Sequence, residues 1–333
     1  MRTQCVSRKA QPEEPLFPGS QPSGRKTTRG NGEAVCSSPR HAEPILTAQF
    51  MTGHLAALGA ALAWTLASGL WRSLSSRGSA LALNAAKNGI ACLIFLPVLV
   101  SLPWQDNRSA VGLLLLSGVV GIAAGDSFYL AALRRLGTRR TLTVEALGPV
   151  LATLGSVVLM GESLEGSAWI GAAMVTAAVV LVAGPSDAIS RDGAGLALAF
   201  LAVISGLAGA FLAREVLISS TLTPLQTASV RLCGGWAGLL PLLRWKGEAM
   251  RHWISPFGVR MVLATVLGTN LGIALQQFVF QQMPVGPGVT LMGTAPVMAL
   301  VIGRFEGDPI QPRGIAAALL AVSGVALTSA SAV

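Results

Sequence analysis

Ten long apolar runs follow one another along this chain and limit its fold more than any other feature. The runs cover residues 55–73, 79–101, 110–133, 139–160, 167–184, 193–214, 224–243, 257–281, 286–304 and 313–331. Most of them approach the roughly 20 residues that a helix needs to span the hydrocarbon core of a bilayer. Because lipid offers backbone groups no hydrogen-bond partner, each run is expected to be helical. The sequence therefore predicts an all-α integral membrane protein with ten transmembrane helices.

The composition argues against a soluble or nucleic-acid-binding protein. Of the 333 residues, 52% are hydrophobic and 12% are charged, whereas soluble domains carry about 25% charged residues. The net charge of +9 lies mainly in the N-terminal tail and in short connections, where helical membrane proteins place basic residues. The four cysteines and three histidines show no metal-ligand spacing, so neither a metal nor a cofactor is expected.

The first 53 residues differ from the rest of the chain. They are rich in proline, serine, glycine and arginine and show almost no apolar periodicity. This composition is typical of a disordered tail. Met51 directly precedes the first apolar run, which makes it an alternative start of translation.

The second half of the chain repeats landmarks of the first half in the same order. Gly121, Gly125 and Pro149 recur 147 residues later, and a basic residue recurs at an offset of 144. The counterparts are Gly268, Gly272 and Pro296, with Arg231 matching Lys87. Because each half holds five runs, an odd number, the second half must enter the membrane from the opposite side. The sequence therefore predicts two inverted five-helix repeats, at 54–184 and 193–331.

Several motifs resemble those of one transporter family. They are Trp64 in the first run, the basic residues Lys87 and Arg231, Tyr129-Leu-Ala-Ala-Leu133, Pro149, and Gly161-Glu162. Over about residues 54–331 the chain resembles the EamA-type branch of the drug/metabolite transporter superfamily. It departs from the family at Lys87, where arginine is usual, and in the second repeat, which reads Gly303-Arg-Phe-Glu306 in place of a Gly-Glu pair. The resemblance implies a ten-helix transporter with a central cavity, located in the plasma (inner) membrane.

Three charged residues fall inside the apolar runs of the first half. Asp126 and Glu145 lie on either side of a predicted turn near Leu136, which puts the two carboxyl groups at a similar depth. Lys87 enters the membrane from the same side. Ionisable groups in membrane helices usually face a cavity or a partner. One interpretation is therefore a polar site that binds substrate or a coupling proton. A structural pair of Lys87 with one acid, or solvation of Asp126 near the headgroups, is the alternative.

Proline and glycine indicate breaks and close contacts within the helices. Pro149 cannot donate a hydrogen bond to the carbonyl of Glu145, and Gly148 precedes it. A hinge beside a cavity and a packing kink are both consistent with this break, which Pro296 repeats in the second half. The Gly-x-x-x-Gly pairs are predicted to be helix contacts. These pairs are Gly121 with Gly125 and Gly268 with Gly272.

Uncharged polar residues and one tryptophan complete the candidate pathway. Asn270, Gln276 and Gln277 lie in the eighth run, and Tyr129 is the counterpart of Gln276. These side chains can line a pathway for a neutral or zwitterionic solute, or hydrogen-bond one helix to another. Trp64 can shape the cavity or serve packing alone.

These observations predict a secondary active transporter that moves a small polar metabolite by alternating access, with a proton as a candidate coupling ion. A non-transporting scaffold or sensor is the alternative, and a membrane-embedded enzyme is a weaker one. The chain has no nucleotide-binding loop, G-x-S-x-G or H-E-x-x-H motif, so enzymatic activity is not expected. Lipid and a small solute are the expected partners. The basic connections after odd-numbered runs predict termini outside the cytoplasm, whereas the family resemblance implies termini inside it.

Overall fold

The computed structural model describes residues 43–74, 79–183, 192–245, 258–298 and 312–330. Within these ranges the chain is helical apart from short connections and contains no strand, which confirms the predicted all-α class. The first repeat contains α1 (Glu43–Leu74), α2 (Ala80–Ile94), α3 (Leu96–Val100), α4 (Arg108–Gly118), α5 (Asp126–Glu145), α6 (Gly148–Met160) and α7 (Gly166–Ala183). The second contains α8 (Gly193–Ser219), α9 (Pro224–Trp245), α10 (Gly258–Ala264), α11 (Gly272–Gln282), α12 (Val285–Met292) and α13 (Pro312–Ala330).

Several helices have the length and surface that a bilayer requires. Four helical segments within the described residues are long and apolar enough to cross a membrane, and four shorter ones are also apolar. The long segments are Arg108–Leu136, Gly193–Ser219, Gly258–Gln282 and Pro312–Ala330. The outer faces carry exposed aliphatic side chains such as Leu93, Val158 and Val322, which lipid would cover. The protein is therefore a multi-pass membrane protein, while the count of ten spans stays a prediction.

The first helix begins earlier than the sequence analysis predicted. α1 starts at Glu43, so residues 43–53 of the predicted tail are helical. Proline is well tolerated in the first turn of a helix, and Pro44 occupies that position here; no glycine or proline follows before Gly53. Residues 1–42, the predicted boundary at 185–191 and the Gly303–Glu306 segment lie outside the described residues.

The helices of the two repeats pair symmetrically, so that a contact of one repeat has an equivalent contact in the other. α2 packs against α9, α6 against α12, and α7 against α13. α1 of the first repeat contacts α11 of the second, and α8 of the second contacts α4 of the first. This is the pattern expected of two repeats related by a pseudo-two-fold axis.

Each repeat also contains one π-helical segment at an equivalent place. We call these segments π1 (Val119–Gly125, between α4 and α5) and π2 (Thr265–Leu271, between α10 and α11). Single π-helical turns inside α-helices often occur at functional sites. π1 packs on α8, and π2 packs on α1. The Gly-x-x-x-Gly pairs thus mark the same inter-repeat contact twice.

The predicted turn near Leu136 is a bend within helical backbone and not a loop. α5 is assigned as helix from Asp126 to Glu145, and a straight helix of this length would separate its ends by about 28 Å. Yet Glu145 interacts electrostatically with both Asp126 and Tyr129. The chain must therefore reverse within α5. The stretch contains arginine and leucine, which favour helix, and no proline, so hydrogen bonding continues through the bend.

The helix breaks lie where the prolines predicted them. α5 ends at Glu145 and α6 begins at Gly148, with Pro149 in its first turn. In the second repeat α12 ends at Met292, and helix resumes at 295–298, the segment that contains Pro296. The hydroxyl of Thr176 donates to the carbonyl of Ala146 at 2.7 Å, which satisfies one backbone group exposed by the first break.

Candidate functional site

Lys87 and Asp126 form an ion pair between α2 and the start of α5. Their side chains are 16% and 37% exposed, respectively. Asn84, one turn before Lys87, donates to the carbonyl of Ile122 in π1 at 3.1 Å and so ties α2 to the same region. The sequence analysis left the partner of Lys87 open between two acids; in the structure it is Asp126.

Glu145 lies near this pair and forms no ion pair within the described ranges. Its carboxylate interacts electrostatically with Asp126 and with Tyr129, which follows Asp126 by one turn. Its Oε1 atom is buried and lacks a hydrogen-bond partner among the described residues. The two acids therefore differ: one is neutralised by a lysine and the other is not.

Arg231 on α9 is a fourth charged residue in the same region. The residue is 3% exposed, and its Nε and Nη1 atoms are buried without a hydrogen-bond partner in the described part of the chain. Its nearest acid by electrostatic interaction is Asp126, which already pairs with Lys87. Buried charges are normally paired and hydrogen-bonded. We refer to Lys87, Asp126, Tyr129, Glu145 and Arg231 together as the polar layer.

Two polar residues of the second repeat also have buried atoms without a hydrogen-bond partner among the described residues. Asn270 in π2 donates to the carbonyl of Ala91 at 3.1 Å, and its Oδ1 is buried without a described partner. Gln277 is 0% exposed; its Nε2 lies 3.4 Å from Oε1 of Gln276, while its own Oε1 has no partner in the described ranges. One end of Asn270 thus joins two helices, and the other end is unsatisfied within the described ranges.

Trp64 has a packing contact that explains its position. Its indole nitrogen donates to the carbonyl of Gly268 at 2.9 Å, and the ring lies against Gly272. A methyl group on Gly272 would lie 2.7 Å from Cδ1 of Trp64, so only glycine fits there. Gly268 is equally close to Ala67. The tryptophan therefore joins α1 to π2 and α11.

Two polar residues beside the polar layer were not singled out from the sequence. Asn88 donates through Nδ2 to Oδ1 of Asn84 at 3.0 Å, and its own Oδ1 is buried without a partner that the structure describes. Trp236 on α9 lies against Gly89, and its indole nitrogen is also buried without a hydrogen-bond partner in the described ranges. The spacing of Asn84, Lys87 and Asn88 forms a polar stripe at helical period in an apolar run, and this signal was present in the sequence.

A second ion pair lies at one end of the helix bundle. Arg214, near the end of α8, lies 3.4 Å from Oε1 of Glu162, and the side chains are 13% and 17% exposed. The same guanidinium donates to the carbonyls of Phe280 and Gln281 at the end of α11. Glu162 follows Gly161, which ends α6 in the left-handed conformation at φ 65°. Arg214 therefore holds the ends of three helices together.

The opposite end of α8 carries a different charge pair. Asp192 caps the first turn by accepting from the Gly195 amide at 3.0 Å, and Arg135 lies 3.2 Å from the same carboxylate. The Gly195 amide and the Arg135 guanidinium hold the pKa of Asp192 below its usual range. About 30 Å of helix separates Gly193 from Arg214. We call these two ends of the bundle the Asp192 end and the Arg214 end.

Two helical repeats that enclose a layer of charged side chains define a polytopic membrane protein with a polar interior. A comparison with protein families shows that the EamA-like transporter family matches residues 51–184 and again residues 193–330. The chain belongs to the EamA-like transporter family, a family of membrane transporters of the drug/metabolite transporter type. This confirms the resemblance on which the sequence analysis drew.

Solved structures agree with this fold. Among 29 matching chains, one whose title reads "Crystal structure of protein" has a TM-score of 0.67 at 18% sequence identity. The match covers 83% of this chain and 96% of that one. At this identity the similarity shows a shared fold alone. A comparison with curated proteins finds no match.

Proposed function

We propose that this protein is a secondary active transporter that moves a small polar metabolite by alternating access between its two repeats. The observation that carries the proposal is the polar layer, in which Lys87, Asp126, Glu145 and Arg231 are placed among apolar helices from both repeats. Ionisable residues within a membrane usually face a substrate or ion pathway. A scaffold would have no use for buried polar atoms that lack partners, such as Nε of Arg231 and Oε1 of Glu145.

The exposure of the charged groups supports a pathway that is open toward one end. Asp126 is 37% and Lys87 16% exposed, and both lie within about 15 Å of the Asp192 end along their helices. Arg231 is 3% exposed, and the Arg214–Glu162 pair joins three helices at the other end. This arrangement suits a conformation that admits solute from the Asp192 end and is closed at the Arg214 end.

The proposed coupling ion is a proton carried by Glu145. Its Oε1 has no partner among the described residues, and the neighbouring groups are Asp126 and Tyr129. Glu145 is also the last residue of α5, directly before the break at Pro149. A rearrangement of this break moves the carboxyl group relative to Asp126 and Lys87. Loading and release of a proton can therefore be linked to the conformational change.

The transport proposal is tested by counterflow in proteoliposomes that contain the purified protein. Vesicles are loaded with members of a panel of amino acids, organic acids, amines, sugars and nucleosides, and entry of the same labelled compound is measured. We expect accumulation of at least one compound, and its loss in Lys87→Met, because this change leaves Asp126 without its partner. Arg260→Met, which removes an exposed cation of α10, is the control and should transport normally.

Counterflow by no member of the panel would contradict transport and favour a scaffold or sensor. Transport by Lys87→Met at the rate of the wild type would show that the ion pair with Asp126 is only structural. Gel filtration of each variant in detergent confirms that the folded protein is being compared.

A further inference from the structure

We propose that Arg231 binds a carboxylate of the transported solute, so that the substrate class is a small organic acid or zwitterion with a free carboxylate. This inference rests on the proposed transport function and names the chemistry that its site recognises.

The guanidinium of Arg231 lacks the hydrogen bonds that a buried arginine normally makes. Nε and Nη1 are buried and have no partner within the described ranges, although the residue is only 3% exposed. An unpaired buried charge is strongly destabilising. A bound group that supplies acceptors to the guanidinium would lower this cost. A carboxylate can do so with two oxygens in the guanidinium plane, accepting from Nη1 and Nη2 at its end or from Nε and Nη2 along its side.

No described acid is available to play this part permanently. Asp126 interacts electrostatically with Arg231, but its hydrogen bond goes to Lys87. Glu145 interacts with Asp126 and Tyr129. The polar layer therefore holds one ion pair, the separate carboxyl group of Glu145, and one cation with unused donors. A solute that brings its own negative charge completes this arrangement.

The backbone of π1 packs directly beside the guanidinium. Nη2 of Arg231 faces Gly121 of π1, where a methyl group would lie 3.4 Å from that nitrogen. The same methyl group would lie 3.2 Å from Cα of Gly209, so a side chain at Gly121 would crowd this contact. The side chain of Arg231 thus points toward π1, which leads directly into Asp126.

Other unsatisfied atoms on α9 and on the helices packed against it suit the remaining parts of such a solute. Trp236, five residues after Arg231 on α9, offers a buried indole N–H. Asn88 on α2 and Asn270 in π2 each offer a buried carbonyl oxygen. α2 packs against both α9 and π2. These helices therefore present donors and acceptors together, as recognition of a solute with a carboxylate and a hydrogen-bond donor requires.

The test compares matched ligands on the purified full-length protein in detergent. Each pair consists of a carboxylate and its primary amide, such as benzoate and benzamide, lactate and lactamide, or leucine and leucinamide. The readout is the melting temperature, because a ligand that binds only the folded state raises it. We expect a carboxylate member to raise the melting temperature of the wild type while its amide does not.

Variants of Arg231 separate binding from a structural role. Arg231→Met should lose the response to carboxylates, and its melting temperature without ligand should equal or exceed that of the wild type, since a buried charge is removed. Arg231→Lys should keep the response with affinity about tenfold weaker, because lysine is a point charge without the planar fork. Arg260→Met, at an exposed position, is the control and should respond as the wild type does.

Three results of the ligand comparison would overturn the inference. They are equal shifts by acids and amides, no shift by any acid of the panel, and an undiminished response in Arg231→Met. A melting temperature of unliganded Arg231→Met several degrees below that of the wild type would assign Arg231 a structural role and would also overturn it. Acid binding without counterflow would keep the carboxylate site and contradict transport. Counterflow of uncharged solutes without acid binding would support transport and contradict the carboxylate site.

Discussion

The two acids of the polar layer have different surroundings, although their positions in the sequence are comparable. Asp126 has Lys87 as an ion-pair partner, whereas Oε1 of Glu145 has no partner among the described side chains. A carboxyl group that is already neutralised by a fixed cation is poorly suited to exchange a proton during transport. Glu145 is therefore the better candidate for the coupling site, and Asp126 for holding Lys87 in place.

This difference predicts the effect of Glu145→Gln on coupling. The amide has nearly the same shape but cannot bind and release a proton, so uptake should no longer respond to a pH gradient. Exchange of labelled for unlabelled solute should continue, because it requires no net proton movement. The measurement is gradient-driven uptake of the solute identified by counterflow. Equal sensitivity to the gradient in wild type and variant would exclude Glu145 as the coupling site.

Glu215→Gln is a matched control for this experiment. Glu215 is an exposed acid on α8, outside the polar layer, and the substitution removes the same charge. It should leave the response to the pH gradient unchanged. A loss of coupling in both variants would indicate a general effect of net charge.

At the scale of helices, the two π-helical segments pack against equivalent helices, but different residues fill the two contacts. π1 meets α8 through glycine on both sides, with Gly121 against Gly209 and Gly125 against Gly206. π2 meets α1 at Trp64, whose indole fills the contact and donates to the carbonyl of Gly268. The first contact brings two backbones together, whereas the second is filled by one large side chain. The repeats are therefore similar in architecture and different in packing.

The close contact between π1 and α8 predicts a large effect of one methyl group. In Gly209→Ala the added carbon would lie 2.7 Å from Cα of Gly121 and 2.9 Å from the carbonyl oxygen of Ser117. Both are backbone atoms, and overpacking of this kind costs about 1–3 kcal/mol. We expect a lower melting temperature and reduced transport.

Gly206→Ala provides the control on the same helix. Nothing lies within 4 Å of the carbon that this change adds. Since alanine favours helix over glycine by about 1 kcal/mol, the melting temperature should stay the same or rise. An equal loss of stability in Gly206→Ala and Gly209→Ala would show that helix flexibility, and not close packing, explains the glycines of α8.

At the scale of the whole molecule, the pairing of helices predicts which connections share a side of the membrane. Glu165, before α7, and Thr221, after α8, are separated by two helices and should lie on the same side. Arg134, at the Asp192 end, should lie on the other. Single cysteines at these positions, in a chain whose four native cysteines are replaced by serine, can be labelled with an impermeant maleimide. Labelling of Arg134→Cys and Glu165→Cys from the same side would contradict the two-repeat topology.

The Arg214 end is closed by contacts between helices of both repeats. Arg214 of α8 reaches Glu162 beyond α6 and the carbonyls of Phe280 and Gln281 in α11. Alternating access requires that these helices separate when this end opens. The guanidinium is therefore expected to stabilise the conformation described here against the one open at this end.

Arg214→Met should shift that balance. The variant loses charge-assisted hydrogen bonds, each worth about 1.5–3 kcal/mol, so amide hydrogen exchange at the end of α11 should become roughly tenfold faster or more. Lys87→Met, which changes the polar layer, should not accelerate exchange at this end. Unchanged exchange in Arg214→Met would mean that other contacts close the Arg214 end.

The sequence by itself determined the class of protein, the repeat and the helix breaks. Lipid requires long apolar helices, so the ten runs are visible in the sequence. Pro149 and Pro296 indicate the two breaks because proline removes a backbone donor, although Pro241 lies inside the continuous helix α9. The recurrence of Gly121 and Gly125 as Gly268 and Gly272 likewise needed no knowledge of distances. Residues 43–53 were misassigned because composition outweighed the helical potential that follows Pro44.

The contacts between side chains on different helices are visible only in the tertiary structure. The pairing of Lys87 with Asp126 in preference to Glu145, the absence of a described partner for Arg231, and the Arg214–Glu162 contact depend on how distant helices pack. So does the π-helical form of the glycine segments, in which backbone hydrogen bonds adjust to a neighbouring helix. A sequence specifies the length and polarity of each helix, but the distance between two side chains on different helices is a property of the packed bundle.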